Sequence, residues 1–379
     1  MATRKPDVVE IHTDAGVFDK YSSVELVQDL YDTSSATFEI GDDGAWQALE
    51  AIVAPGQPFQ VHLNGRLQMS GRAEVNEVPI EPGSASVIQL VCRTKMADAR
   101  YASADPKIRF KDTSIKAFVL AAYAPLGYTL KDFRFDAIAD ANLVTGKLAG
   151  AKDPIDLEPL KADALKVNPP ETIFECVERV LKRHRLMHWD GADGSILVGS
   201  PNISASPLYR FLCHRVNGGL GNNVCKARRV IDWSEVASDL SVHGSSPGLD
   251  TSKQQIRGYA IDADLIAVFG KNGHFNRRVV IPADGVKTLE QARARAQREI
   301  KARAKRKNAW EIETDGWTYW NGHESIPLAI NTTADLDLEI VGGSAAGKFV
   351  ITALHRTLSA EQSATARVTL VEPSTLEYF

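Results

Sequence analysis

Two stretches carry the spacing of motifs that handle phosphates or acyl groups. Gly342-Gly343-Ser344-Ala345-Ala346-Gly347-Lys348 has the G-x-x-x-x-G-K spacing of a phosphate-binding loop. In that motif, backbone N–H groups cradle phosphates and the next residue, Ser or Thr, binds magnesium. Here the next residue is Phe349, and Phe349 to Leu354 reads as a strand where a helix is needed, so a β-hairpin loop is expected. Gly244-Ser245-Ser246-Pro247-Gly248 matches G-x-S-x-G. The residue after such a serine nucleophile must lend its N–H to an oxyanion, and Pro247 has none. A Ser/Pro/Gly loop after a strand is expected instead.

Other reactive side chains are scattered. Cys213-His214 and Cys225 form no C-x₂-C pair and have no second His at ligand spacing, whereas a structural zinc site needs four ligands. Cys92 and Cys176 sit on apolar faces and read as small core residues. There is no H-E-x-x-H or G-x-G-x-x-G, and Gly218 to Gly221 reads as a loop. Acidic pairs such as Asp42-Asp43 or Glu171/Glu175 imply no general acid–base geometry by themselves. No catalytic residue, cofactor or metal is expected. The strongest chemical feature is basic: Arg293, Arg295, Arg298, Lys301, Arg303, Lys305, Arg306 and Lys307 circle one helix over 289–307. Without interleaved aromatics, that helix suits a solvated or protein-facing surface better than DNA. Arg293, Arg295, Arg298, Lys301 and Arg303 are therefore the candidate interface residues. Trp317, Tyr319 and Trp320 fit aromatic core packing better than base stacking.

The elements that position these residues are mostly strands. Val8 to His12, Val17 to Tyr21, Val24 to Leu30 and Ala36 to Ile40 alternate or run apolar. Ala45 to Ile52 reads as a short helix. Phe59 to Leu63, Asn64-Gly65 and Leu67 to Met69 form a hairpin signal; Ala73 to Val78 and Ser84 to Val91 follow as strands. Ile115, Phe118, Val119 and Ala122 predict a helix capped by Asp112 or Thr113. Tyr128 to Leu130 reads as a strand, and a second helix starts near Glu171. Leu186 to Trp189 and Ile196 to Val198 make a hairpin. From Asn222 the chain is β again, with the basic helix capped by Thr288 and Gln291 before the final strands. The strand order up to Val91 is echoed by Leu338 to Val371, as if one barrel were used twice.

Composition narrows the class. The chain has 379 residues, 24 % charged and 44 % hydrophobic, with a formal net charge of −4. Two to four domains follow from the length, because one core stops growing near ~250–300 residues. Near-neutral charge disfavours a dedicated nucleic-acid binder, and four cysteines exclude a disulfide scaffold. The first residues lack an apolar signal region, and Ala117 to Tyr128 falls short of the ~20 residues that span a bilayer. A soluble protein assembled in a reducing cytoplasm is expected. The net charge hides opposed regions: residues 1–50 hold eleven acids and three bases, a balance of −8, and 289–307 holds eight bases and two acids, +6. They read as solvated surfaces or as complementary patches between subunits or partners.

The order of segments resembles the baseplate central hub proteins of contractile-tailed phages, in particular the gpP-like tail proteins of Mu-like phages and prophages. Four stretches carry it: the opening β region through Gly71-Arg72 and Leu90 to Arg93; Glu171-Thr172-Ile173 to Ile196-Leu197-Val198; Asn222-Asn223-Val224 through Asp239 to Val242-His243-Gly244; and the Arg-rich helix leading to Trp310-Glu311 and Gly316-Trp317. The stretches 131–169 and 246–287 match no such pattern.

The resemblance implies an α+β, β-rich chain with two small tube-like antiparallel β-barrels and inserted α/β modules. The expected division is a first barrel over 1–98, an inserted α/β domain over 99–221, and a second barrel from 222–246 with 308–373. An insertion with the basic helix would occupy 247–307, and 374–379 would be a tail. The resemblance further implies a homotrimeric, non-enzymatic ring that adapts a sixfold tail tube to a threefold central spike. Its partners would be the spike, the tail tube or its initiator, and other baseplate proteins, with DNA only passing through the lumen. It would reside in the virion and have no membrane-spanning segment. The alternatives are a hub of a related contractile injection or secretion machine, a nucleic-acid binder using helix 289–307, and a cell-wall hydrolase. Secretion hubs usually continue into a needle-like repeat, whereas this chain ends at Phe379.

Overall fold

The computed structural model describes residues 6–14, 16–41, 54, 56–77, 87–107, 114–136, 166–184, 186–214, 221–231, 236–244, 256–270, 277–283, 286, 288–305, 308–340, 343–359 and 363–376. The predicted helix over Ala45–Ile52, Asp42-Asp43, the cap candidates Asp112 and Thr113, and Ser245 to Gly248 lie outside them.

Seven strands open the chain: β1 (Val9–Thr13), β2 (Gly16–Phe18), β3 (Ser23–Asp29), β4 (Ser35–Gly41), β5 (Pro58–Leu63), β6 (Arg66–Glu77) and β7 (Val87–Arg93). Burial alternates along β3, β4 and β7, which sends Val24, Leu26, Phe38, Ile40, Ile88 and Leu90 to one core face. Asn64 and Gly65 have φ of 52° and 74°, the left-handed pair that a type I′ turn between β5 and β6 requires. β6 lies so close to β7 that a Cβ on Gly71 would stand 2.0 Å from the Arg93 carbonyl oxygen.

A smaller α/β unit follows, with α1 (Ala97–Tyr101), α2 (Ile115–Tyr123), β8 (Phe133–Phe135), α3 (Ile173–Arg183), β9 (Met187–Asp190) and β10 (Ile196–Gly199). Its sheet has the order β8-β10-β9, and Phe118, Val119, Phe174, Val177, Leu181 and Ile196 share its core. The α2 cap is Ser114, whose hydroxyl accepts the Ala117 N–H at 3.2 Å. Thr172 and Glu175 form a reciprocal capping box on α3. The strand expected at Tyr128 to Leu130 is not formed. The Asp132 carboxylate takes the Thr129 N–H at 2.9 Å and starts a 3₁₀ turn over Leu130–Asp132, so local hydrogen bonds win over extension.

The remaining elements are β11 (Tyr209–Cys213), β12 (Val224–Ile231), β13 (Asp239–Gly244), β14 (Ile256–Ile261), α4 (Ala263–Gly270), β15 (Arg278–Ala283), α5 (Leu289–Lys305), β16 (Asn308–Asp315), β17 (Thr318–Trp320), β18 (Ser325–Pro327), β19 (Thr333–Ile340), β20 (Gly343–Ser359), β21 (Thr365–Val371) and α6 (Pro373–Leu376). The echo between the two β regions is visible as two antiparallel meanders, β5-β6-β7 and β19-β20-β21, each with a bulged long middle strand.

Two separate closed barrels were the expectation. Among the described residues no sheet closes; both β regions join one 13-stranded sheet in the order β12-β16-β21-β20-β3-β4-β7-β6-β5-β1-β2, with β19 on β20 and β11 on β19. The join is the antiparallel pair β3–β20, from Ser23 opposite Ser359 to Asp29 opposite Ala353. An edge strand left open by one region is thereby paired by the other. One hydrophobic core runs through both, from Val9, Phe38 and Leu90 to Trp310, Leu336 and Leu370.

Three elements sit elsewhere than the sequence suggests. β11, from the segment expected as an insertion, pairs in parallel with β19 in the large sheet. β13, expected in the second barrel, is instead the centre of a separate sheet β14-β13-β15, because Leu240 and Val242 bury against Ala292, Ala296 and Ile300 of α5. Gly258 permits this packing, since a Cβ there would lie 2.1 Å from the Ala292 backbone. The expected tail begins as the short helix α6, with Leu376 buried.

Candidate functional site

Among the described residues none of the reactive motifs assembles; Ser245 to Gly248 and Asp42-Asp43 lie outside them. Gly343 to Lys348 lies in strand β20, paired with β19, so it makes no phosphate-cradling loop. Cys92 and Cys176 are buried thiols, and burial raises both, Cys176 to about 12. Cys213 and Cys225 are free thiols, and no group of His, Cys, Asp and Glu among the described residues is arranged to hold a metal. No helix among them is long and apolar enough to cross a membrane. What the fold does bring together are joints between its parts.

The first joint is the β3–β20 seam. Arg356 of β20 is fully buried and donates to the Gln28 Oε1 of β3 at 2.8 Å and to the Leu328 carbonyl. Gln28 in turn donates to the Gln68 carbonyl at 3.1 Å. The Arg356 guanidinium lies 6.0 Å from the Trp317 ring, and the Asp7 carboxylate acts on it electrostatically. Burial pulls it down to about 10, so it stays charged at neutral pH. Asp7 takes the Trp317 N–H and the Thr318 hydroxyl, tying the start of the chain to the same corner. On the outer face of the seam, His355 contacts Glu25.

The second joint holds the α/β unit on the turn between β3 and β4. The buried Asp190 carboxylate of β9 accepts the Ser34 N–H at 2.7 Å, and desolvation raises it to about 6. Arg100 of α1 binds Asp32 and the Tyr31 carbonyl and lies 3.7 Å from the Phe174 ring centre. His188 packs between Phe174 and Tyr123 with no hydrogen-bond partner on either nitrogen among the described residues, and burial lowers it to about 3. Arg72 of β6 pairs with Asp98 of α1 on the flank.

A third contact nearly closes the second β region. Asn223 accepts the Leu212 N–H at 2.8 Å and donates to the Arg210 carbonyl at 2.7 Å. Asn222 brackets His214 in the same way, with two bonds of 2.9 Å. These side chains occupy the edge of β11 as a neighbouring strand would, just before β12 begins. They also line a cleft of about 390 Å³ with Phe211, Asp315, Tyr319 and Trp320. A second cleft of about 480 Å³ lies between Arg134, Trp189 and Leu197 of the small sheet and Asn202 and Asn331.

The basic helix stands apart from all three joints. Arg293 is exposed, and Arg295 and Arg303 are half-buried; Arg298 and Lys301 lie on α5, with side chains outside the described set. The acid-rich start of the chain is largely engaged at home: Glu10 with His12, Glu25 with His355, Asp29 with the Tyr31 N–H, Asp32 with Arg100 and Glu39 with Ser23. Asp14 and Asp19 remain exposed.

Sequence reasoning missed Arg356 and Asp190, because an arginine near a strand end and an aspartate at a turn read as solvated. The usable signals are Gln28 on the otherwise apolar face of β3, in line with Val24 and Leu26, and His188 beside Trp189.

No family model matches the chain. It is 22 % identical to the baseplate hub protein gp44 of Escherichia phage Mu over 339 residues, 86 % of this chain and 78 % of that protein. The 43 kDa tail protein of prophage MuSo2 from Shewanella oneidensis superposes with a TM-score of 0.73 at 18 % identity, covering 97 % of this chain and 99 % of that one. The tail protein from Neisseria meningitidis MC58 gives 0.75 at 14 % identity, covering 98 % and 99 %. The resemblance implied by segment order is therefore found again: the chain is similar to a Mu baseplate hub protein along most of its length and has the fold of Mu-like prophage tail proteins.

Proposed function

We propose that the chain is the structural hub of a contractile phage tail baseplate. The observation that carries this is end-to-end similarity: a Mu hub protein matches most of the chain, and Mu-like tail proteins share its fold from one end to the other. The role is mechanical, with no catalytic step. Three copies form a ring, and each contributes two tube-like barrel halves, so the ring presents pseudo-sixfold symmetry to the tail tube and threefold symmetry to the central spike. DNA passes through the lumen during ejection. The continuous sheet supports this reading. Joining both β regions through β3–β20 makes one rigid body of the two halves, as an adaptor under axial load requires. The α/β unit and the α5 module lie outside the ring, and Arg293, Arg295, Arg298, Lys301 and Arg303 face neighbouring baseplate proteins.

The test is the mass of the purified chain in solution, followed by particle images. A trimer seen as a ring supports the reading. A strict monomer at high concentration, also with a spike protein present, overturns it.

A further inference from the structure

Among the described residues the sheet β14-β13-β15 packs on one face against α5, while on the other face Ser241 at the centre of β13 is buried and its flanks are exposed. The strand registers place three rows on the other face: Ile261, Asp239 and Arg278; Tyr259, Ser241 and Val280; Arg257, His243 and Pro282. Tyr259 and Ile261 on β14 are 45 % and 64 % exposed, and Val280 on β15, on the other side of Ser241, is 53 % exposed. A lone exposed apolar side chain is ordinary, but a contiguous set marks a contact surface. Arginines ring it. The Arg278 guanidinium lies 6.0 Å from the Tyr259 ring centre, and Arg257 and Arg277 are exposed beside it. The one carboxylate in these three rows, Asp239, faces Arg278 at 3.8 Å. Tyrosine and arginine around an apolar centre is the composition of interface anchors.

The opposite polarity occurs at the other end of the chain. β2 ends the large sheet, and its outer edge is unpaired among the described residues. Val17 is 61 % exposed and Val8 is 51 % exposed. Exposed Asp14 and Asp19 and half-buried Glu10 lie close to them in sequence, with Lys20 the one lysine or arginine among residues 6–20. The chain therefore carries an apolar patch rimmed by arginines and another rimmed by acids. Two different complementary patches on one chain make a head-to-tail contact, the kind that closes into a ring or runs on as a filament.

We propose that the open face of β14-β13-β15 binds the acidic β1–β2 end of a second copy of this chain. The inference rests on the hub reading only in that both require copies to associate. The apolar centre favours protein over nucleic acid, and the charge match favours this chain's own β1–β2 end.

Sedimentation equilibrium on the full chain tests it with Arg257→Glu/Arg278→Glu, with Asp14→Lys/Asp19→Lys, and with all four changes together. Each pair alone weakens self-association by about tenfold or more, and the fourfold variant regains most of the loss. Val17→Lys, a single exposed change, weakens it as well and serves if the arginine pair does not fold. Three results overturn the inference while leaving the hub reading intact: association unchanged in every variant, loss in the arginine pair without recovery in the fourfold variant, or loss of DNA retention in the arginine pair at unchanged mass. A wild-type chain that never associates overturns both.

Discussion

Two of the joints bury charge in opposite ways. At the β3–β20 seam the group is a cation, Arg356, held by neutral oxygens and an aromatic face. At the mount of the α/β unit it is a carboxylate, Asp190, held by a backbone N–H. Arg356, at about 10, does not titrate between pH 4 and 8. Asp190, at about 6, and His188, at about 3, do change the protonation balance there. The buried charge of the seam, Arg356, therefore ignores pH, and the buried groups of the mount do not. A rigid body with a separately responsive attachment is a division of labour that one uniform core would not give.

The sharpest break of this comparison is at Arg356. Replacement by Ala leaves the Gln28 and Leu328 oxygens unsatisfied and opens a cavity in the seam, which costs on the order of 3 kcal/mol or more in urea unfolding. Arg356→Met keeps the stem, removes the desolvated charge and costs clearly less. Equal losses in both would show that the seam depends on the guanidinium and its hydrogen bonds and not on filling.

The mount is tested by pH. Asp190 has a folded pKa above its ordinary 3.8, so its ionisation opposes folding: the stability it contributes is present below about pH 4 and lost as pH rises through about 6. In Asp190→Asn that loss disappears, and the wild type falls relative to the variant by roughly 2–3 kcal/mol between pH 4 and 7. His188 has the opposite sign. Its folded pKa lies below 6.5, so the stability of its neutral form is present above pH 6.5 and lost as pH falls towards about 3. His188→Phe keeps the ring between Phe174 and Tyr123 and removes that acid loss. Chemical denaturation at pH 4, 5.5 and 7 separates the two. An unchanged pH profile in both variants would mean that neither group is desolvated as described.

Smaller effects probe the edges. Asn223→Ala strips the side-chain hydrogen bonds from β11, costs about 1–2 kcal/mol and speeds hydrogen exchange at the Leu212 N–H first. Thr172→Ala removes the α3 cap and costs about 1 kcal/mol, without touching the seam.

Local chemistry made much of the fold legible. Alternation exposed β3, β4 and β7, Asn64-Gly65 fixed its turn, and the apolar stripes of α2 and α3 gave their faces. Pairing over long sequence separations was not legible. Nothing near Val24 says that its neighbour is Leu358, and nothing near Tyr209 says that β11 joins β19. Phe349 to Leu354 read as a complete strand because His355 and Arg356 look like its solvated end. In the fold β20 continues to Ser359, and Arg356 is its most buried charge. For the same reason Asp190 looked like a turn residue. The candidate surface was half legible: the basic stripe of α5 is plain in sequence, but the open face with Tyr259, Ile261 and Val280 appears only when β13 leaves the large sheet.

The central claim is that this chain assembles as a hub ring. The direct measurement is the absolute mass of the purified wild-type protein over a range of concentrations and salt, with negative-stain images of the same peak. The account predicts a species of three times the chain mass, seen as a ring with an open centre. A species of one chain mass at every concentration, with or without a spike protein, would contradict it.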